Sequence, residues 1–218
     1  QMKKVLLMSL LCLWGVGMQG ADTSILDFGA HQNSADNTKA IQAAIDSCAL
    51  TGGGTVHIPS GTYLTSTIFL KSNVHLYLHG GSILKGVTDP KAYQGRAVVV
   101  GENIRNASVR GEGCIDGQGN HHNFQFGDDK GRRPHVILFE RCQNVQVKDV
   151  FLYNSASWTL RCSNSDGIRI SSIKIYSHGN HNCDGIDINS RNVVISDCII
   201  DCDDDGICFK TDAPGFGR

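Results

Sequence analysis

The feature that most constrains this chain is a repeated phrase of β-branched residues. The phrase occurs at Asn144–Val147, Asp166–Ile170 and Asn192–Ile195, and its copies start 22 and 26 residues apart. Each copy has a polar entry followed by alternating apolar residues, a pattern typical of a strand and too short for a helix. Repeats of this length that contain only strands and turns predict a solenoid of parallel strands, with one coil per repeat.

Such a solenoid brings two acidic clusters together. The first is Asn182–Asp187 (NCDGID), the second is Asp203–Ile207 (DDDGI), and the apolar run Val193–Ile200 lies between them. Neighbouring coils of a parallel solenoid lie about 4.8 Å apart, so residues one lap apart in sequence are neighbours in space. We therefore predict that the two clusters converge on one face of the molecule.

One segment has helical periodicity. Ile41, Ala44, Ile45 and Cys48 follow the spacing i, i+3, i+4, i+7, with a capping side chain in Asp36–Thr38 and glycines after the last turn. A solenoid must cover its first open edge, and a short amphipathic helix is a usual cover. We predict an all-β parallel β-helix with a short N-terminal capping helix.

The N-terminus has the pattern of a secretory signal peptide. Met2–Lys4 is basic, Val5–Val16 is apolar, and small residues follow up to Ala21. The apolar run is shorter than the roughly 20 residues that a membrane span needs. We predict a signal peptide over residues 1–21, a secreted or periplasmic location, and one β-helix domain over 22–218.

Composition and cysteine spacing exclude some functions. The formal net charge of −1 gives no basic footprint for nucleic acid. Cysteine spacing has no zinc-type clustering, so we expect no metal and no cofactor, and we expect a monomer. An oxidising compartment permits disulfides, but the spacing does not choose a pairing, and several cysteines are expected to be small core residues. The mature region contains eight of them: Cys48, Cys114, Cys142, Cys162, Cys183, Cys198, Cys202 and Cys208.

Segments along almost the whole mature region carry a resemblance to a known family. Among them are Asp27–Ala30, Gly52–Pro59, Gly113–Gly119, Asn154–Trp158, Asn182–Asp184 and Asp203–Asp205. The chain resembles glycoside hydrolase family 28, the polygalacturonases and related pectin hydrolases, whose Asn-Thr-Asp and Gly-Asp-Asp motifs correspond to the last two segments. The resemblance implies a right-handed, pectin-lyase-like β-helix that hydrolyses glycosidic bonds of pectic polysaccharide or oligogalacturonide.

Asp184, Asp204 and Asp205 are the candidate catalytic residues. Hydrolysis of a glycosidic bond needs one carboxylic acid to protonate the leaving oxygen and one carboxylate to activate water or to attack directly. The resemblance implies that Asp204 is the general acid and that Asp184 and Asp205 hold the water. Because crowded carboxylates disfavour full ionisation, we expect a desolvated Asp204 to keep its proton.

Further residues have two interpretations each. Asn182 and His181, which match the family pattern, and Trp158 are candidate substrate-binding residues, although a buried aromatic is an equal alternative for Trp158. We expect Asp187 to cap a turn or orient Asp184. The polar insertion over residues 117–134 contains His121, His122, Arg132 and Arg133, which are expected to be solvated, with a rim that meets an acidic sugar as the alternative. Asp197 and Asp201 lie in turns and are expected to be solvated.

Two departures from the family pattern bear on the choice of substrate and on how much of the family's sequence this chain contains. Cys183 stands where the family has threonine and Asp203 where it has glycine, which keeps rhamnogalacturonan or another decorated pectin open as the substrate. The family's later motifs, Gly-His-Gly and Arg-x-Lys, lie further downstream. We therefore interpret the chain as an N-terminal fragment.

Two other functional classes remain open. Pectate lyases share the architecture and hold calcium with clustered aspartates, for which Asp201, Asp203, Asp204 and Asp205 are candidates. A non-catalytic, glycan-binding β-helix is the other alternative, since a fold does not dictate a function.

Overall fold

The computed structural model describes residues 20–125 and 133–211. Most of the predicted signal peptide, residues 126–132 of the polar insertion and Asp212–Arg218 lie outside the described residues. Within them, the chain forms a right-handed parallel β-helix with one α-helix, α1 (Thr38–Leu50), and short 3-10 helices at Ile25–Phe28, Pro90–Ala92 and His122–Phe124. The strands are β1 (Thr23–Ser24), β2 (Gly54–Ile58), β3 (Gly61–Thr65), β4 (Ile68–Phe69), β5 (Val74–Leu78), β6 (Ser82–Gly86), β7 (Ala97–Glu102), β8 (Arg105–Gly111), β9 (Cys114–Asp116), β10 (His135–Glu140), β11 (Gln143–Lys148), β12 (Phe151–Tyr153), β13 (Leu160–Ser171), β14 (Lys174–Ser177), β15 (Ile186–Ser196), β16 (Ile199–Cys202) and β17 (Ile207–Phe209).

The strands stack into three faces, and all the pairs are parallel. One face is a six-stranded sheet in the order β16-β14-β12-β9-β6-β3. The other two faces form one continuous sheet because the long strands β13 and β15 bend from one face to the next. β13 pairs with β10 through Leu160–Ser163 and with β11 through Asp166–Ser171. Each lap of the chain therefore adds one strand to each face, as a solenoid requires.

The strand register confirms the repeat. Val145 pairs with Ile168, and Ile168 pairs with Val193, so the three copies of the phrase lie on successive coils. Ile170 pairs with Ile195 in the same way. Val145, Ile168 and Ile170 are buried in the single hydrophobic core of the described residues. The apolar positions of each phrase therefore form the inner rows of the solenoid, which is why the sequence repeats.

Asparagines shape a corner between two faces. Asn73, Asn106 and Asn144 have left-handed φ values of 63°, 53° and 52°, a conformation that asparagine tolerates better than most residues. Asn106 Nδ2 donates to Asn73 Oδ1 at 3.2 Å, and Asn144 Nδ2 donates to Asn106 Oδ1 at 2.8 Å. This side-chain ladder repeats the same turn on each lap and so helps to keep the coils in register.

The predicted helix is confirmed as α1. Its N-cap residue is Asn37, whose side chain makes no capping hydrogen bond, while Oδ1 of the preceding Asp36 accepts the Thr38 N–H at 2.8 Å. It packs on β1, β2, β4 and β5 and covers the first coil. The buried face of α1 consists of the four predicted residues, Ile41, Ala44, Ile45 and Cys48.

No helix of the described residues is long and apolar enough to cross a membrane.

The cysteines also follow the prediction. Cys48, Cys142, Cys162 and Cys183 are buried, and burial raises the pKa of the thiol of each of them. All eight cysteines from Cys48 to Cys208 are free thiols in this structure. The buried ones act as small apolar core residues.

Candidate active site

The two acidic clusters converge, as the repeat predicts. Ile186 of β15 pairs with Ile207 of β17, a lap of 21 residues, so Asp205 lies one coil above Asp184. The Gly185 N–H donates to the Asp205 carbonyl at 2.9 Å and fixes this register. Side-chain oxygens of Asp184 and Asp205 lie within 4.8 Å of each other. The structure therefore pairs Asp184 with Asp205, the residue after Asp204.

A lysine that the sequence analysis missed sits in this site. Lys210 Nζ lies 3.0 Å from Asp184 Oδ2 and 3.1 Å from Asp187 Oδ1. Asp184 and Asp187 are only 2% and 1% exposed, and buried carboxylates need a counter-charge. Burial would lower the pKa of Lys210, but its hydrogen bonds to Asp184 and Asp187 raise it, so the lysine is charged. Lys210 thus provides the counter-charge for Asp184 and Asp187, the two buried carboxylates that form the floor of the site.

Asp187 is the carboxyl group with the most perturbed titration in this cluster. Burial and the neighbouring negative charge of Asp184 raise the pKa of Asp187 to about 7, against the opposing effect of Lys210. Its side chain is fully buried, so it has no surface from which to reach a ligand. The geometry fits the expected structural role, in which Asp187 orients Asp184 through their shared lysine.

The acidic turn above this floor is open to solvent. Asp203, Asp204 and Asp205 are all exposed. Asp204 Oδ1 accepts the Asp205 N–H at 2.9 Å, and Asn182 Nδ2 donates to Asp204 Oδ2 at 3.4 Å. The expectation that Asp204 is desolvated is therefore wrong for this structure: the desolvated carboxyls are those of Asp184 and Asp187, because the preceding coil and Lys210 cover them.

The turn that carries Asp184 is tightly constructed. Asn182 adopts a left-handed φ of 55°, which reverses the chain just before the acid. Cys183 is buried, and its thiol donates to the Asn180 carbonyl at 2.9 Å and contacts the Ser155 carbonyl at 3.3 Å. A small side chain at position 183 thus anchors the turn beneath the surface.

Arg133 clamps the same turn. Its guanidinium donates to the Ala156 carbonyl at 2.9 Å, to Asn180 Oδ1 at 3.3 Å, to Asn182 Oδ1 at 3.3 Å and to the His181 carbonyl. The expectation of a solvated Arg133 is wrong, because its side chain lies against this turn and is half-buried. His181 itself is exposed, and its N–H donates to Asn180 Oδ1 at 2.8 Å.

Trp158 lies beside the acids with its ring packed among polar side chains. The ring stacks on His135 at 5.6 Å with an interplanar angle of 15°. Lys210 Nζ and the Arg161 guanidinium carbon lie 4.6 and 4.8 Å from the ring centroid, as in cation–π contacts. Burial lowers the pKa of His135 to about 3, so the stacked imidazole is neutral. Trp158 is half-buried and positions Lys210 as well as offering an aromatic surface.

One group in the described residues has metal-ligand spacing. Asp184, Asp205 and Cys208 each offer an atom within 4.8 Å of the other two. The thiol suits a soft ion rather than calcium, which prefers oxygen ligands. Lys210 already places a positive charge 3.0 Å from Asp184 and would repel a cation there. The donor set does not fit a calcium site.

The aspartates considered for the calcium-dependent alternative point to different partners. His178 Nε2 lies 2.6 Å from Asp201 Oδ1, and His178 Nδ1 lies 2.5 Å from Asp203 Oδ1. Asp204 instead bonds within its own turn, and Asp205 faces Asp184. The four carboxylates form no common ligand cluster among the described residues. Asp201, expected to be a solvated tip, is exposed but bonded.

The fold and site together define a class: a parallel β-helix protein with facing carboxylates suited to acid–base chemistry. The comparison with protein families is more specific. The family model for glycosyl hydrolases family 28 matches residues 48–213. The chain belongs to this family, as its sequence motifs suggest.

Individual relatives agree with the family. A probable polygalacturonase from Vitis vinifera is 29% identical, with 93% of this chain and 47% of the relative covered. A probable endo-xylogalacturonan hydrolase A from Aspergillus fumigatus is 28% identical over 81% of this chain and 47% of the relative. The crystal structure of an exopolygalacturonase from Thermotoga maritima superposes with a TM-score of 0.80 and 25% identity, covering 88% of this chain and 55% of that one. The chain spans about half the length of these relatives.

Proposed function

We propose that this protein hydrolyses glycosidic bonds of a pectic polysaccharide by acid–base catalysis, with Asp184, Asp204 and Asp205 as the catalytic residues. The observation that carries the proposal is the approach of Asp184 and Asp205 to within 4.8 Å from consecutive coils, in a chain of family 28. Two facing carboxylates can grip one water molecule and accept its proton. The polygalacturonase and xylogalacturonan hydrolase relatives support a pectic substrate.

In this mechanism the buried floor provides the base. Asp184 Oδ2 pairs with Lys210, and Asp184 Oδ1 is buried without a hydrogen bond from any described residue. That oxygen has unused lone pairs, and the side chain must turn outward for one of them to meet the attacking water. Asp205, on the next coil, approaches the same water from the other side.

Asp204 is the proposed general acid. It is exposed in the free protein, and a bound substrate would cover it and exclude water from it. Its side chain bonds to Asn182 and to its own turn rather than joining the Asp184–Asp205 pair. The acid and the water thus approach the bond from separate positions, the arrangement of an inverting hydrolase.

The substrate-binding proposal involves Trp158, Asn182 and His181. The half-buried ring of Trp158 can contact a sugar through its exposed part, and Arg161 beside it can attract an acidic sugar. Asn182 already contacts Asp204 and can orient it, and exposed His181 lies at the rim of the same turn. These roles rest on position beside the acids.

Turnover of single variants tests the proposal in the protein produced from its complete reading frame. D205N and D184N should each lower kcat on polygalacturonate by about 10²–10⁴-fold with little change in KM. D205N is the cleaner variant because Asp205 is exposed, whereas Asp184 also pairs with Lys210. D197N is the matched control, an exposed aspartate in another turn, and should keep wild-type kcat. Wild-type turnover in D205N would overturn the assignment.

A decorated pectin is a second candidate substrate. The xylogalacturonan hydrolase relative and the substitutions at Cys183 and Asp203 favour it. Parallel assays on polygalacturonate, xylogalacturonan and rhamnogalacturonan identify the substrate by the largest kcat/KM. A product that absorbs in the ultraviolet and disappears on chelation would instead indicate a calcium-dependent lyase.

We also propose that the protein is exported and acts as a monomer. The basic and apolar pattern of residues 2–21 supports cleavage near Ala21, which N-terminal sequencing of the mature protein would test. Light scattering of the purified protein would test the monomeric state.

A further inference from the structure

His178 bridges two successive coils next to the candidate acids. It follows β14 directly, and the residue before it, Ser177, pairs with Cys202 at the end of β16. His178 Nε2 lies 2.6 Å from Asp201 Oδ1, and Nδ1 lies 2.5 Å from Asp203 Oδ1. The Asp203 N–H also donates to the Ser177 carbonyl at 3.1 Å. Asp203 is thus held at both its backbone and its side chain.

The contacts require a charged histidine. A neutral imidazole has one N–H donor, whereas an imidazolium has two and can donate to both carboxylates. Among the described residues, the ring of Tyr176 also packs against His178, with 4.7 Å between the ring centroids. The hydrogen bonds that His178 donates to Asp203 and then to Asp201 raise the pKa of His178. Deprotonation must therefore break one of the two bridges.

The bridge connects the two turns that carry the candidate acids. His178 begins the turn that leads to Asp184, and Asp203 directly precedes Asp204 and Asp205. Asp203 also occupies the position at which the family pattern has glycine, and a glycine there could not form this bridge. Asp203, where this chain departs from the family pattern, is thus matched by His178 on the preceding coil.

We propose that His178 is a positioning residue for the reaction: through Asp203 it holds the turn of Asp204 and Asp205 against the turn of Asp184. This inference rests on the proposed function. Because misplacing a catalytic group by 1 Å can cost about 10²-fold in rate, breaking the bridge lowers kcat more than it changes KM. The bridge operates below the pKa of His178 and is lost as the pH rises through it.

The experiment compares H178Q, D203G and the control H31Q in the protein produced from its complete reading frame. His31 is an exposed histidine near the N-terminal cap, outside the site. The kcat ratio of wild type to H178Q should be about tenfold or more at acidic pH and should approach one at alkaline pH. D203G should follow the same trend, and H31Q should give a ratio of one throughout. A ratio that does not change with pH would overturn the proposal.

A second measurement separates this inference from the proposed function. NMR titration of the His178 imidazole should give a pKa above the reference of about 6.5 in the wild type and a lower pKa in D203N. An unchanged pKa in D203N would overturn the bridge whatever the activity. If the wild type hydrolyses no pectic substrate while His178 titrates as expected, the proposed function fails and the bridge itself stands.

Discussion

Two acidic clusters one lap apart in this chain have opposite surroundings. Asp184 and Asp187 are 2% and 1% exposed and share the ammonium group of Lys210. The turn Asp203–Asp205 is exposed and is held by its own hydrogen bonds and by neighbouring polar side chains. The two clusters look alike in sequence, yet only one is part of the folded interior.

This difference indicates that the buried cluster and the exposed cluster have different roles in the site. A buried carboxylate keeps its charge only with a partner, so the electrostatics of the floor are set when the chain folds. The exposed turn is solvated in the free protein, and a bound ligand would exclude water from it. We infer that Asp184 is preorganised, whereas Asp204 becomes an effective acid only in the substrate complex.

Replacing Lys210 is expected to have the largest effect on the difference between the two clusters. K210M would leave Asp184 and Asp187 buried without a counter-charge and should reduce the free energy of unfolding by about 3–5 kcal/mol. K174M, which alters an exposed lysine of β14, should change it by less than about 0.5 kcal/mol. Urea denaturation of both variants measures the difference. Equal stability of K210M and K174M would show that the floor does not depend on its lysine.

A smaller effect should appear in the pH dependence of stability. Burial and the charge of Asp184 raise the pKa of Asp187 to about 7 in the folded state, above the value of about 3.9 expected when unfolded. Folding therefore favours protonated Asp187, and its stabilising contribution is present below about pH 4 and is lost as the pH rises towards 7. D187N should remove this part of the pH dependence.

Thermal unfolding of wild type, D187N and D197N between pH 4 and 8 measures that effect. D197N is the control because Asp197 is exposed, and it should retain the wild-type profile. A D187N profile that parallels the wild type would mean that Asp187 titrates normally despite its burial.

Much of the fold could be predicted from the sequence because a solenoid is a local, periodic structure. Val145, Ile168 and Val193 pair as the repeat predicts, and α1 lies where its periodicity places it. The convergence of Asp184 on the next acidic cluster follows from the lap length. Each of these features depends only on spacing along the chain.

The rest of the site depends on contacts that spacing does not reveal. Lys210 reaches Asp184 and Asp187 from the following coil, and Arg133, which lies just before β10, donates to Asn182 in the turn before Asp184. Such side chains act through direction and burial, which the repeat alone does not specify. A basic residue just beyond the second acidic cluster was the one available signal for Lys210.

The stereochemistry of hydrolysis tests the central claim most directly. Inverting enzymes hold acid and base about 6.5–9.5 Å apart, with room for a water molecule, whereas retaining enzymes hold them about 5–5.5 Å apart. With Asp184 and Asp205 gripping the water and Asp204 apart from them, we predict inversion without a covalent glycosyl-enzyme. Proton NMR of the first-formed anomer, in the protein from its complete reading frame, should show the inverted configuration. Retention of configuration would contradict the roles assigned to all three aspartates.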